Sequence, residues 1–279
     1  MQRIDIDNII AEAHLGTAEE TRPLEGEWEE AVTTVRPPKF DGAEHEEWLP
    51  APPPTFQTGL DSSYQEFSQL FAAIERRGAT PSPDIDALDA HSGHILGITS
   101  ALVGEGKTTV ALNLAMSTAR STNSKVCLID LGLSGDSVLH RLGTTARGTG
   151  IIQVLEGAQQ TFPMLKLKDY EELTIIPAGK NPSNPARIAR SPQMEELLCS
   201  IRRRFDLILV DMPAISTHNA RPLAAYMDGI VMIARAGVTP QDVIANAMDH
   251  IGRDKVLGVV LNRVRFAGPR WLQKRLMQR

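Results

Sequence analysis

The stretch from Gly97 to Thr109 reads G-I-T-S-A-L-V-G-E-G-K-T-T; it follows an apolar run at Ile95 and Leu96 and precedes a helix-forming run from Val110 to Ala119. A turn of small residues between a buried strand and a helix N-terminus aims several backbone N–H groups at one point, where the helix dipole also favours negative charge. Phosphate fits there. The spacing from Ala101 to Thr108 matches the phosphate-binding P-loop pattern, with Ala101 where the pattern has its first glycine. Gly106 leaves room for close backbone approach, Lys107 reaches the outer phosphates, and the Thr108 hydroxyl is available to Mg²⁺. Together with Val103, Gly104, Glu105 and Thr109, these are the candidate cofactor-binding residues.

Apolar, strand-like runs recur at Ile95 to Thr99, Val126 to Asp130, Leu173 to Pro177, Leu207 to Asp211, Gly229 to Ala234 and Val256 to Asn262. Helical stretches separate most of them, among them Val110 to Arg120, Ser191 to Arg204, Arg221 to Met227 and Gln241 to Gly252. Strands alternating with helices predict an α/β fold, a doubly wound and mostly parallel sheet covered on both faces. Two of the runs end in aspartate, Asp130 and Asp211, at the edge where a parallel sheet binds ligands. Mg²⁺ is a hard ion that prefers oxygen, so Thr108, Asp130 and Asp211 form the candidate metal set, and Lys107, Asp130 and Asp211 the candidate catalytic set.

The chain has 279 residues, and its net charge of -5 is unevenly spread. Residues 1–60 hold 13 acids and 4 bases, leaving 21 acids and 25 bases for the rest. Acid, proline and few core-forming residues predict a disordered arm over 1–60. A nucleotide-binding domain is expected over 61–266. Its first element would be a helix from Ser62 to Arg77 with Phe67, Leu70, Phe71 and Ile74 on one face. The tail, 267–279, carries Arg270, Lys274, Arg275 and Arg279 beside Trp271, Leu272, Leu276 and Met277, a basic amphipathic pattern suited to an anionic membrane surface. No motif supports nucleic acid as a partner. Cys127 and Cys199 are too few for a disulfide framework, and no run is apolar enough for a membrane span, so the cytoplasm is the expected compartment, with the tail allowing contact at the inner face of the plasma membrane.

Several segments carry a family resemblance: G-E-G-K-T-T from Gly104, L-I-D from Leu128, I-I-P-A-G-K-N-P-S-N-P from Ile175, S-P-Q-M-E-E-L-L from Ser191, D-L-I-L-V-D-M-P from Asp206 and V-L-G-V-V-L-N from Val256. Over residues 62 to 262 the chain resembles the cytoplasmic domain of bacterial tyrosine kinases, regulators of capsule and exopolysaccharide polymerisation within the deviant P-loop ATPases. The resemblance implies ATP and Mg²⁺ as cofactors, Asp130 as base for a substrate hydroxyl, adenine near Asn262, and a membrane polysaccharide co-polymerase as partner. It also raises homo-oligomer formation.

The chain departs from that pattern in three places. The family's D-x-D-x-R motif is represented by Asp130, Gly132 and Ser134; its E-x-x-R-x-x-R oligomerisation helix by Glu66, Gln69 and Ala72; and its tyrosine-bearing tail by one without tyrosine. The expected activity is therefore weak ATP hydrolysis without tail autophosphorylation. Two alternatives stand beside it, a non-catalytic adaptor of the co-polymerase and a positioning ATPase of the cell-division or plasmid-partition kind. The last group has a second lysine and a glycine where this chain has Leu102 and Val103.

Overall fold

The computed structural model describes residues 46–52, 71–72, 93–133, 138–144 and 148–264. Eight strands form one sheet: β1 (Glu46–Leu49), β2 (His94–Ser100), β3 (Val126–Asp130), β4 (Met164–Leu167), β5 (Tyr170–Ile176), β6 (Leu207–Asp211), β7 (Gly229–Arg235) and β8 (Val256–Asn262), in the order β1-β4-β5-β3-β6-β2-β7-β8. From β5 to β8 every pairing is parallel; β4 runs antiparallel to β5, and β1 pairs in parallel with β4.

The continuous apolar runs have a simple cause. Along β3, Val126 and Leu128 pack on one face of the sheet while Cys127 and Ile129 pack on the other, and β6 alternates in the same way from Leu207 to Val210. A strand buried on both faces has no polar side to show. One face is covered by α1 (Lys107–Ser121) and α2 (Val138–Arg141), the other by α3 (Ile151–Leu155), α4 (Pro185–Ala189), α5 (Pro192–Arg202), α6 (Ala220–Ala224) and α7 (Gln241–Ile251). The doubly wound, mostly parallel sheet expected from the sequence is thus observed. Close packing extends to the backbone of β2, where a Cβ on Gly97 would lie 2.4 Å from the Met212 sulfur.

The strands carry their own ties. Asp228 accepts the Ile95 N–H at 2.8 Å and also an Arg202 guanidinium N–H. Lys255 donates to the carbonyls of Ala224, Ala225 and Met227 at 3.1, 3.0 and 3.2 Å, satisfying acceptors that the end of α6 leaves over.

Two strands differ from the sequence reading. The expected arm over 1–60 includes β1, which docks on β4 and buries Leu49, so this segment belongs to the fold. A four-residue strand needs a partner more than a pattern, and the partner lies over a hundred residues on. The β4–β5 hairpin also carried no turn signature: Lys168 and Asp169 connect it, with Asp169 at φ 72°, a left-handed conformation that aspartate tolerates. Of the helix expected at Ser62 to Arg77, only 71–72 is described, and it is helical with Phe71 buried. The rest of that helix, the remainder of the arm apart from residues 46–52, and the basic tail lie outside the described residues.

Leu49 is 3% exposed and its neighbour Trp48 57%. Leu49→Ala is therefore expected to lower stability by about 2 kcal/mol in urea denaturation, and Trp48→Ala to leave it nearly unchanged. A silent Leu49→Ala would return this segment to the arm.

Candidate functional site

The P-loop leaves β2 at Ser100 and enters α1 at Lys107. Gly104 and Gly106 have φ of 87° and 96°, which side-chain-bearing residues rarely adopt. Gly106 has a second reason to lack a side chain, since a Cβ there would lie 2.2 Å from Asn262 Nδ2. The first helical bond runs from Val110 N–H to Gly106 C=O at 3.0 Å, which leaves the N–H groups before it for a ligand. Lys107 and Thr109 are partly exposed in this first turn, and Val103 stands out at the loop tip, 70% exposed.

Glu105 points the other way. Its side chain is 3% exposed; Oε2 accepts the Leu102 N–H at 2.7 Å, while Oε1 accepts the Arg235 N–H at 3.2 Å and the Thr239 hydroxyl. Asn262 Nδ2 donates to the Glu105 carbonyl at 2.8 Å. The loop is thereby clamped to the ends of β7 and β8, so Glu105 offers a nucleotide its backbone and not its carboxylate. Sequence reasoning had no signal for Arg235 and Thr239, which come from 130 and 134 residues away.

Both strand-ending aspartates arrive where expected. Asp130 and Asp211 are direct partners across β3 and β6, and Leu131 N–H donates to the Asp211 carbonyl at 2.9 Å. Asp211 Oδ2 accepts the Thr108 hydroxyl at 2.7 Å, tying α1 to the middle of the sheet. Asp130, 1% exposed, accepts the N–H groups of Gly132 at 3.1 Å on Oδ1 and Val138 at 2.8 Å on Oδ2. It thus ties Gly132 and the first residue of α2 to the end of β3. Two further bonds close the floor of the site, from the Thr99 hydroxyl to the Pro213 carbonyl at 2.7 Å and from Ser216 N–H to the Ala101 carbonyl at 3.2 Å.

Residues 91–274 match the family model ParA, described as an NUBPL iron-transfer P-loop NTPase. The tyrosine-protein kinase YwqD of Bacillus subtilis is 31% identical over 168 residues, 59% of this chain and 70% of that protein. The chain belongs to the bacterial tyrosine-kinase family of ParA-type P-loop NTPases. It is 30% identical over 184 residues to the succinoglycan biosynthesis transport protein ExoP of Rhizobium meliloti, covering 63% of this chain and 23% of that protein. The VpsO kinase domain superposes with a TM-score of 0.56 at 29% identity, covering 72% of this chain and 98% of that one. The iron transfer in the family model's description belongs to its namesake. Here Cys127 is buried in β3, where burial pushes its thiol well above the usual range, and Cys199 is exposed on α5.

Members of this family bind nucleotide, and the acidic end of the site fits a magnesium ion. Asp211 Oδ1 is buried and has no hydrogen-bond partner. Burial first, and the neighbouring Asp130 second, push the Asp211 carboxyl up to about 7, against the pull of Lys107 and the Thr108 hydroxyl. A buried carboxylate oxygen without a donor, beside a hydroxyl at a helix N-terminus, is completed by a divalent cation and its waters.

Without ligand, native Asp211 holds a proton that the unfolded chain, with its carboxyl near 3.8, releases earlier. Its contribution to stability is full below about pH 4 and is lost as pH rises through about 7. Asp211→Asn is expected to remove this slope from denaturation midpoints measured across that window. It should also abolish Mg²⁺-dependent nucleotide stabilisation, which in the parent protein should grow over the same window. A variant with the parent's slope would show that Asp211 is not the titrating group.

Proposed function

We propose that this protein binds Mg·ATP through the P-loop, hydrolyses it slowly with Asp130 required, and serves exopolysaccharide or capsule polymerisation beside a membrane-embedded polysaccharide co-polymerase. The observation that carries this reading is the hydrogen bond from Thr108 to Asp211 with Asp211 Oδ1 left over, directly behind a phosphate loop. When bound, Mg²⁺ would supply charge neutralisation between the outer phosphates. The protein's own share is positional: the backbone N–H groups of residues 103 to 109 and Lys107 hold the phosphates, Thr108 and Asp211 orient the ion's ligands, and Asn262 borders the adenine.

The two described tyrosines, Tyr170 and Tyr226, are poor acceptors. The last 17 residues contain none. Tyr170 is 5% exposed in β5, and Tyr226 is partly buried with its hydroxyl 3.4 Å from the Ser191 carbonyl. Among the described residues no helix is long and apolar enough to cross a membrane.

A second reading, a nucleotide-binding adaptor without turnover, is favoured by one observation: both oxygens of Asp130 already accept backbone N–H groups.

Mg·ATP at a hundredfold excess over Kd is expected to stabilise the protein by about 2.7 kcal/mol, roughly 5–10 °C for a domain of this size, and Lys107→Ala should lose most of that shift. An unchanged response in Lys107→Ala would refute the P-loop assignment. Phosphate release should be slow and should disappear in Asp130→Asn. Binding with no release in the parent protein would establish the adaptor instead. Mass spectrometry after incubation with ATP and the co-polymerase is expected to find no stoichiometric phosphotyrosine, and phosphate on Tyr64, Tyr170 or Tyr226 would show an autokinase.

A further inference from the structure

Among the described residues the sheet ends in β1 on one side and β8 on the other, and each of the two has a single partner, β4 for the first and β7 for the second. An edge strand presents unpaired N–H and C=O groups, and soluble proteins blunt such edges with charge, proline or a covering element. β8 reads V-L-G-V-V-L-N, with neither charge nor proline along its length. Its side chains are also thinly covered. Val259 and Leu261 are 38% and 59% exposed, and Trp48, on the opposite edge, is 57% exposed. These three are the exposed large apolar side chains that the described strands carry.

All three lie on one face of the sheet. Val259 and Leu261 pair with Met232 and Ala234 of β7, and Met232 packs in the cluster that includes Ala247 and Ile251 of α7. Between them Val260 pairs with Ile233 and packs on the other face, with α1. Leu49 also packs on the α1 face, so the alternation of a strand turns Trp48 to the face of Val259 and Leu261. Polarity matches as well. β1 is parallel to β4, β4 is antiparallel to β5, and β5 to β8 run parallel, so β1 is antiparallel to β8. A second copy that continues the sheet beyond β8 therefore offers its β1 as an antiparallel strand, with Trp48 on the side where Val259 and Leu261 stand exposed.

Charge selects the partner and the register. Residues 41–47, which lead into and begin β1, hold four acids and no lysine or arginine, whereas residues 263–270, which follow β8, hold three arginines and no acid. Setting Trp48 opposite Leu261 places Glu46 opposite Arg263 and Leu49 opposite Val260, and leaves Val259 at the diagonal position that an aromatic ring reaches. Two β8 strands pair less well. Centred on Val259, that pairing sets Lys255 opposite Arg263, and like charges directly opposite are destabilising. We propose that copies of this chain associate head to tail, β8 of one copy with β1 of the next, through a sheet that runs on across the contact. The interface is heterologous, so each added copy brings another unused edge and growth does not stop at a dimer. It needs none of Glu66, Gln69 and Ala72, which stand where the family pattern has its oligomerisation helix, and it is independent of the nucleotide reading.

Sedimentation velocity of the full chain, without nucleotide and over a hundredfold range of concentration, tests this. At low salt the weight-average mass is expected to climb past that of a dimer. Trp48→Glu and Leu261→Glu each set a carboxylate into the contact at an exposed position, so their thermal midpoints should match the parent's while the association constant falls at least tenfold. An equimolar mixture of the two variants restores one good contact, the intact β8 of the first against the intact β1 of the second. Its mass is expected to rise and to stop at the dimer. A parent that stays monomeric throughout, association unchanged in either variant, or a mixture no heavier than the separate variants would each overturn the proposal. Should a glutamate variant fail to fold, Trp48→Ala and Leu261→Ala decide by the same tenfold criterion. A dimer that Leu261→Glu abolishes and Trp48→Glu leaves intact would replace the proposal with β8 paired to itself.

Discussion

The hydrogen bond from Thr108 to Asp211 joins the two halves of the architecture. Thr108 stands in the first turn of α1, and Asp211 ends β6, which lies between β3 and β2 near the middle of the sheet. Without that bond the first turn of α1 loses its side-chain tie to β6, and the phosphate loop loses its fixed distance from the acidic pair. The bond also leaves the site incomplete in a particular way. One Asp211 oxygen is satisfied, and the other is buried without a donor beside a second carboxylate. The fold tolerates this by holding a proton on Asp211 well above the ordinary carboxylate range. A cation that replaces the proton relieves the same strain, so protonation and metal binding compete for one buried oxygen.

Glu105 supplies the opposing constraint. A carboxylate inside a phosphate loop would repel the phosphates if it faced them, and here it turns inward to gather the N–H groups of Leu102 and Arg235 and the Thr239 hydroxyl. The negative charge thus orders the loop from behind, leaving Lys107 as the cation at its mouth. Asn262 closes the arrangement by bonding the Glu105 carbonyl while filling the space a Gly106 side chain would need. Charges of both signs lie within one short loop, separated by the direction in which the backbone turns them.

How much of this the sequence discloses follows from the range of each interaction. The P-loop is contiguous, and β2, β3 and β6 are buried on both faces, so their apolar runs and terminal aspartates were legible. Local reading failed where an element depends on a distant partner. The four residues of β1 form a strand only because β4 offers an edge, and β4 in turn pairs with β5 across a turn lacking glycine. Glu105 was legible as part of the loop, but its orientation was not, because it depends on residues more than a hundred positions away. The tie between α3 and the loop after β5 is illegible for a related reason: Gln153 and Lys180, 27 residues apart, are joined through one side-chain amide and two backbone groups.

One of the three departures from the family pattern lies directly behind β3, against the site. Gly132 stands where the second acid would be, and its N–H is spent on Asp130 Oδ1, while Val138 at the start of α2 takes Oδ2. In this chain Asp130 holds the backbone of Gly132 and Val138, with no acid at 132 and no arginine at 134. Asp211 is different, since its second oxygen is free of protein donors. The two aspartates therefore differ: Asp130 accepts backbone N–H groups on both oxygens, and Asp211 keeps one buried oxygen that no protein donor reaches. Phosphoryl transfer depends on positioning and on neutralising charge rather than on a strong base, so such a site loses rate before it loses nucleotide affinity. Slow chemistry on bound nucleotide is the behaviour this arrangement predicts.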